Sequence, residues 1–250
     1  MPPYNAIFGR TELMLGTATL DALAAVRVAI FGLGGVGGWC AESLVRSGVA
    51  HLMLVDADRV CATNVNRQLM ATTKTIGQVK VAALAERLRE INPAVELDVR
   101  QRVYDASSAS EFDLSCWDYA IDAIDSLESK ALLIRRALAE DALTLFSSMG
   151  AALKMDPFQI RRSAFTEVSG DGLARALRQK FRKTGGIPEK PFVCVWSPER
   201  RENLGPAAAS DGCFPKARVN GTVVHTTAIF GFALAGLVVA DVERRVGKGA

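Results

Sequence analysis

The sequence predicts an α/β protein on a doubly wound sheet, mostly parallel, with antiparallel strands added in the C-terminal half. Three observations predict it. Short apolar runs alternate with amphipathic stretches across residues 28–147, the pattern of strands joined by crossover helices. A glycine cluster, Gly32, Gly34, Gly35, Gly37 and Gly38, separates the apolar run 28–31 from the helical stretch 36–47. A second apolar run, 52–55, ends in two carboxylates, Asp56 and Asp58.

The glycines imply a nucleotide. They form G-x-G-x-x-G at Gly32, Gly34 and Gly37, where the backbone can approach a phosphate with no Cβ in the way. The helix that follows offers free N–H groups and the positive end of its dipole. A carboxylate at the second strand's tip stands where a ribose hydroxyl is held. This is a Rossmann-like unit. Alone it leaves the chemistry open, because dehydrogenases, methyltransferases and adenylating enzymes share it.

Composition narrows the class. A chain of 250 residues with 49% hydrophobic content can bury a core, which excludes a disordered protein. Residues 151–250 hold 16 Lys and Arg against 9 Asp and Glu, whereas residues 1–150 hold 14 against 18. A basic half joined to an acidic one implies a polyanionic partner, or simply a solvated basic face. We expect 1–150 to be the nucleotide-binding half and 151–250 to continue the same domain. The cysteines, Cys40, Cys61, Cys116, Cys194 and Cys213, include no C-x-x-C pair. That argues against a zinc ribbon and reads as reduced thiols. The segment MPPYNAIFGR carries no basic n-region followed by an apolar h-region, so a cytoplasmic protein is expected. The apolar stretch 223–242 is nearly as long as a membrane span but holds His225, two threonines and Asp241. A buried or dimer-facing helix is the expectation, with peripheral membrane contact left open.

Taken in order, residues 7–25 have a helical apolar period, and Arg10 is their one basic residue. Gly48 ends the helix 36–47 as a C′ glycine would. The polar stretch 59–74 contains Asn64, Asn66, Arg67 and Gln68. A long amphipathic helix is expected over 77–91, ended by Asn92-Pro93. Lys80 falls in its first turn, where a cation is unfavourable unless it faces an anion. Strands are expected at 95–99, 117–122 and 142–147, with a helix over 126–140. Asp56, Asp58, Asp122 and Asp125 then share the carboxyl edge of the sheet, where open α/β sheets bind ligands. Beyond Gly150 come a strand-like alternation at 158–166, a basic helix at 172–183, a strand at 192–196 and a long aperiodic loop at 197–219.

Hydride transfer needs a nicotinamide pocket and a general acid. His51 starts a strand and His225 lies in the apolar stretch, so both read as structural, and no Tyr-x-x-x-Lys pair is present. Attack on the α-phosphate of ATP needs cations on the phosphates and a carboxylate to hold Mg²⁺. Arg67 and Lys80 supply the first and Asp125 the second. Each alone could be a surface ion pair or a helix cap.

These residues also carry a resemblance. GLGGVGG, the D-x-D of Asp56 and Asp58 with N-x-x-R-Q at Asn64, Arg67 and Gln68, GQVK ending at Lys80, INP at 91–93, and DAID from Asp122 to Asp125 resemble the ThiF/MoeB/HesA superfamily, bacterial relatives of ubiquitin-activating enzymes. The resemblance implies an ATP–Mg²⁺ site that adenylates a carboxylate. It implies Asp56 on the ribose, Arg67 and Lys80 on the phosphates, Asp125 on the metal, and Asp58, Asn64, Gln68 and Asp122 in the same site. Arg10 matches an arginine that reaches across a homodimer to the partner's nucleotide; Ile7 stands where the family often has a second one.

Beyond residue 148 the chain is most similar to the branch that dehydrates threonylcarbamoyladenosine in tRNA, through SMGAALKMDP, DGLARALRQKFRK and VWSPE. That implies adenylation of the nucleoside's carboxylate, ring closure by its own carbamoyl group and release of AMP. The helix Arg175–Lys183 and the loop Arg200–Arg218 would meet tRNA phosphates. The rival is an activating enzyme for a ubiquitin-like sulfur carrier, whose paired zinc cysteines are missing here. A non-catalytic scaffold is a further rival, opposed by Arg67, Lys80 and Asp125 together. A sulfur-transfer partner and a monovalent cation are left open. Cys194 reads as core, and Cys213 is the plausible loop nucleophile.

Overall fold

The computed structural model describes residues 4–206 and 220–249. The expectations for Cys213 and for 207–218 of the loop fall outside them.

One seven-stranded sheet runs in the order β3-β2-β1-β4-β5-β7-β6. β1 (Arg27–Phe31) is central because RVAIF is apolar on both faces, so it suits a doubly covered strand. It pairs in parallel with β2 (His51–Val55) on one side and β4 (Tyr119–Asp122) on the other. The strand order therefore reverses between β1 and β4, and a crevice opens at their carboxyl ends. β3 (Glu96–Arg100) joins β2, β5 (Thr144–Ser148) joins β4, and β7 (Val193–Trp196) joins β5, all in parallel. The antiparallel pairing is at the far edge, between β7 and β6 (Arg161–Ala164).

Helices cover both faces. On one side α3 (Gly37–Arg46), α4 (Lys80–Ile91) and α7 (Val224–Gly249) bury Leu44, Leu84, Phe230 and Leu234 against β1 and β2. On the other, α5 (Leu127–Ala139) and α6 (Gly172–Lys183) bury Leu133, Ile134, Leu177 and Phe181.

α7 is long and apolar enough to cross a membrane by composition. Here Phe230, Leu234, Val238 and Val242 form a buried stripe at i, i+4 spacing. Gly231 lets the helix lie directly on α3, since a Cβ there would come 2.5 Å from the carbonyl oxygen of Val36. The expected core helix is what forms, and it runs one turn and more beyond residue 242.

Other elements differ from expectation. The helical stretch 7–25 is two helices, α1 (Tyr4–Leu15) and α2 (Thr17–Ala25), broken at Gly16, whose φ is +80°. α4 begins at Lys80 rather than at 77, because Gly77, at φ +88°, belongs to the preceding turn. The strand expected at 158–166 shrinks to Arg161–Ala164 between two 3₁₀ turns, and Phe158 points into solvent. Cys61 is disulfide-bonded, against the reading of all five cysteines as reduced. Pairing of scattered cysteines depends on which loops meet in space, which spacing does not reveal. Cys40, Cys116 and Cys194 are free, and burial pushes the Cys194 thiol up, as suits a core residue.

Candidate active site

The crevice is built around the turn between β1 and α3. Gly32 donates its N–H to Val55 O at 2.9 Å and turns the chain at φ +86°. A Cβ there would stand 2.7 Å from the carbonyl oxygen of Ala123, and one on Gly37 only 1.9 Å from that of Gly32. These two glycines are required by packing. Gly34 differs: the nearest atom to its missing Cβ is Gln68 Nε2 at 3.9 Å, so the backbone presents an open face. A Cβ on Gly35 would stand 3.2 Å from Thr227 Oγ1 and 3.4 Å from Arg67 Cγ.

Asp56 ties this turn to β2. Its Oδ2 accepts from the Leu33 N–H at 2.7 Å and its Oδ1 from the Asp58 N–H at 2.9 Å. Burial pushes its carboxyl up from the ordinary value, although nearby Lys80 opposes the shift. Lys80 is buried at the start of α4 and pairs with Asp58 Oδ2 at 2.7 Å. The anion that this first-turn lysine was expected to face is, in this structure, Asp58.

Arg67 is half-buried, and its Nη1 donates to Thr63 O at 2.8 Å and Asn66 Oδ1 at 2.9 Å. Its own carbonyl accepts from Trp39 Nε1 at 3.0 Å, fastening the 62–68 segment to α3. Asn64 is buried, and its Oδ1 accepts from the Cys61 N–H at 3.1 Å, so it braces the loop. Gln68 is 7% exposed and its Oε1 is a buried acceptor with no hydrogen-bond partner. An orphaned buried acceptor beside the open face of Gly34 marks a place where a ligand donor fits.

The two aspartates at the end of β4 and in the turn beyond it part company. Asp125 is exposed at the crevice edge. Asp122 is sealed: its Oδ2 lies 2.7 Å from Lys130 Nζ and accepts from Ser147 Oγ at 2.6 Å. Both groups are fully buried, so Asp122, expected in the nucleotide site, lies beneath the crevice edge and not on its open surface. Arg10 is exposed on α1, which packs on α2, and is not gathered with the others.

The structure therefore brings Gly32, Gly34, Gly35, Gly37, Asp56, Asp58, Arg67, Gln68, Lys80 and Asp125 to one edge. Sequence reasoning missed Lys130, Ser147, Trp39 and Thr227. Lys130 left a signal: 127, 130, 131, 134 and 137 form the inward stripe of α5, and a lysine on that stripe needs a buried partner. Among the described residues, no three His, Cys, Asp or Glu cluster to hold a metal unaided.

The basic helix is only partly free. Arg178 donates to Phe165 O and Val168 O and stacks 5.0 Å from the Phe165 ring, so it belongs to the fold. Lys180 pairs with Glu128. Arg175, Arg182 and Lys183 face solvent.

Comparison with known proteins bears on the fold and the family. The ThiF family model matches residues 9–240. The chain is 41% identical over 178 residues to the tRNA threonylcarbamoyladenosine dehydratase of Bacillus subtilis, covering 71% of this chain and 70% of that one. It is 32% identical over 241 residues to the Escherichia coli protein of the same name, covering 90% and 89%. The crystal structure of the Escherichia coli enzyme in complex with ATP superposes with a TM-score of 0.88 at 29% identity, over 98% of this chain and 97% of that one. The chain belongs to the ThiF family.

Proposed function

We propose that this protein is an ATP-dependent tRNA threonylcarbamoyladenosine dehydratase acting as a homodimer. The observation that carries the reading is the open backbone face at Gly34 with the orphaned acceptor of Gln68 beside it. Arg67 lies next to Gly35, and Lys80 pairs with Asp58 after β2. Likeness to the dehydratases over nearly the whole chain supports it.

Asp56 receives the ribose and Arg67 and Lys80 the phosphates. The Lys80–Asp58 pair holds the lysine in its buried place, facing the side from which phosphate oxygens arrive. A divalent cation fits the donor set, because Mg²⁺ is usually held by one or two carboxylates plus the substrate's own phosphates. Asp125 would be the carboxylate, and the ion would neutralise charge as pyrophosphate departs. The acyl adenylate of the tRNA nucleoside is then attacked by the neighbouring carbamoyl group of the same nucleoside. Proximity replaces an enzyme nucleophile, so buried Cys194 has no part to play. Neither a sulfur carrier nor a monovalent cation is needed for this chemistry as written.

The exposed cations of α6, Arg175, Arg182 and Lys183, with exposed Arg200 and Arg201, form the proposed tRNA-facing surface. Exposed Leu13 and Met14, on the same helix as Arg10, are the proposed dimer contact that carries Arg10 to the partner's nucleotide. The test is mass spectrometry of nucleosides after tRNA bearing threonylcarbamoyladenosine is incubated with ATP, Mg²⁺ and the protein. Loss of one water from that nucleoside is expected. ATP–pyrophosphate exchange driven by a ubiquitin-like carrier, with the tRNA nucleoside unchanged, would overturn the reading.

A further inference from the structure

We propose that the buried pair Lys130–Asp122 positions the carboxylate of Asp125, and so tunes divalent-cation binding at the nucleotide site. This rests on the ATP–Mg²⁺ reading above.

The pair is costly by itself. Lys130 Nζ and Asp122 Oδ2 are 2.7 Å apart and both side chains are 0% exposed. Burying two charges costs several kcal/mol per ion, and an apolar pair of similar volume often serves stability as well. Its partners suggest a reason for it. Lys130 Nζ also donates to Ile124 O at 3.0 Å, and Asp122 Oδ1 accepts from the Ile124 N–H at 3.2 Å. Both backbone polar groups of the residue before Asp125 are therefore held by this one ion pair. Ser147 Oγ, donating to Asp122 Oδ2 at 2.6 Å, fixes the carboxylate's own rotation from β5.

Location adds to this. Regular pairing ends as the Ala123 N–H meets Phe31 O at 2.9 Å, and α5 starts only at Leu127. Between those points the Asp122–Lys130 pair braces the turn. The same turn backs the glycine loop, since Ala123 O is the atom that a Cβ on Gly32 would strike. One buried pair thus sets the separation between the phosphate-facing backbone and the exposed carboxylate. A site that must hold a cation between carboxylate and phosphate tolerates errors of only about 0.5 Å. Groups behind a metal ligand typically change affinity 10–100-fold when removed.

Lys130→Met alone leaves Asp122 charged, buried and unpaired, and is expected to unfold. The test therefore uses Asp122→Asn with Lys130→Met, which buries no charge, and separately Ser147→Ala, which removes one bond to the same carboxylate. ATP binding is measured by calorimetry as Mg²⁺ is titrated, alongside AMP binding without metal and thermal unfolding. Asp125→Ala serves as the reference for a lost carboxylate. In the double variant the Mg²⁺ concentration for half-maximal effect should rise about tenfold or more, while metal-free AMP affinity stays at the wild-type value. Ser147→Ala should shift it less, in the same direction, and decides the matter if the double variant does not fold.

A wild-type Mg²⁺ titration in the folded double variant, or in Ser147→Ala if only that folds, overturns the inference while leaving the ATP–Mg²⁺ reading intact. If wild-type ATP binding ignores Mg²⁺ altogether, that reading fails and the inference with it. A purely structural role would move the melting temperature and AMP affinity together without touching the Mg²⁺ midpoint, and is excluded by the expected result.

Discussion

Lys80 Nζ lies 2.7 Å from Asp58 Oδ2, with the lysine side chain 5% exposed and the aspartate 37%. The cation is buried and its partner is open to the crevice. A phosphate arriving from that side meets a lysine already desolvated and held in place by Asp58. Lys80→Met should therefore reduce ATP consumption roughly 100-fold, the usual cost of losing one preorganised charge on a developing anion. AMP affinity should fall much less, because charge develops on the leaving pyrophosphate. Steady-state kinetics and AMP titration check both.

Asp56 holds two N–H groups from two elements, Leu33 at 2.7 Å and Asp58 at 2.9 Å. Asp56→Ala removes both acceptors and the ribose partner at once. Nucleotide affinity should drop at least tenfold, and stability by about 1–3 kcal/mol for the unpaired donors. Calorimetric titration with AMP and chemical denaturation would read the two effects separately.

Glu42 on α3 joins two arginines, Arg46 at 2.8 Å and Arg87 of α4 at 2.5 Å. Burial pushes its carboxyl up, but the hydrogen bonds and charge of Arg87 and Arg46 outweigh that and hold it below its ordinary 4.5. With the folded value depressed, its contribution is full above 4.5 and is lost as pH falls through the lower folded value. Glu42→Gln should cost about 1–2 kcal/mol at neutral pH and flatten the decline of stability below that range. Urea denaturation across acidic pH is the measurement.

Leu13 and Met14 are 89% and 83% exposed on α1, an unusual place for two adjacent large apolar side chains. If they are dimer contacts, Leu13→Asp with Met14→Asp should halve the mass seen by light scattering. ATP turnover should fall with it, because Arg10 no longer reaches a neighbour, while monomer stability stays at wild type.

Much of this was legible beforehand. The glycine turn, the strand tip at Asp56 and the helix bearing Lys80 follow from local spacing, since each depends on residues within a few positions. α7 was legible because its interruptions by His225 and Asp241 contradict a lipid environment. The break at Gly16 was not, because a glycine within an apolar period reads equally as helix interior. The strand at 158–166 was expected too long, because alternation there looks the same whether or not a neighbouring strand pairs with it, and only Arg161–Ala164 pairs.

What the sequence determined by itself is the order of elements, the nucleotide turn and the carboxylates and cations at one sheet edge. These are properties of periodicity and of backbone freedom at single residues. What only the tertiary structure decided is the division of labour among charges. Asp122 and Asp125 are three residues apart, yet one is sealed against Lys130 and Ser147 and the other open. Arg178 is bound into the fold while Arg175, one turn earlier, faces solvent. Burial and partner choice for a charge depend on what β5, α5 and the loop at 165–168 bring to it in space, and no local pattern encodes that meeting.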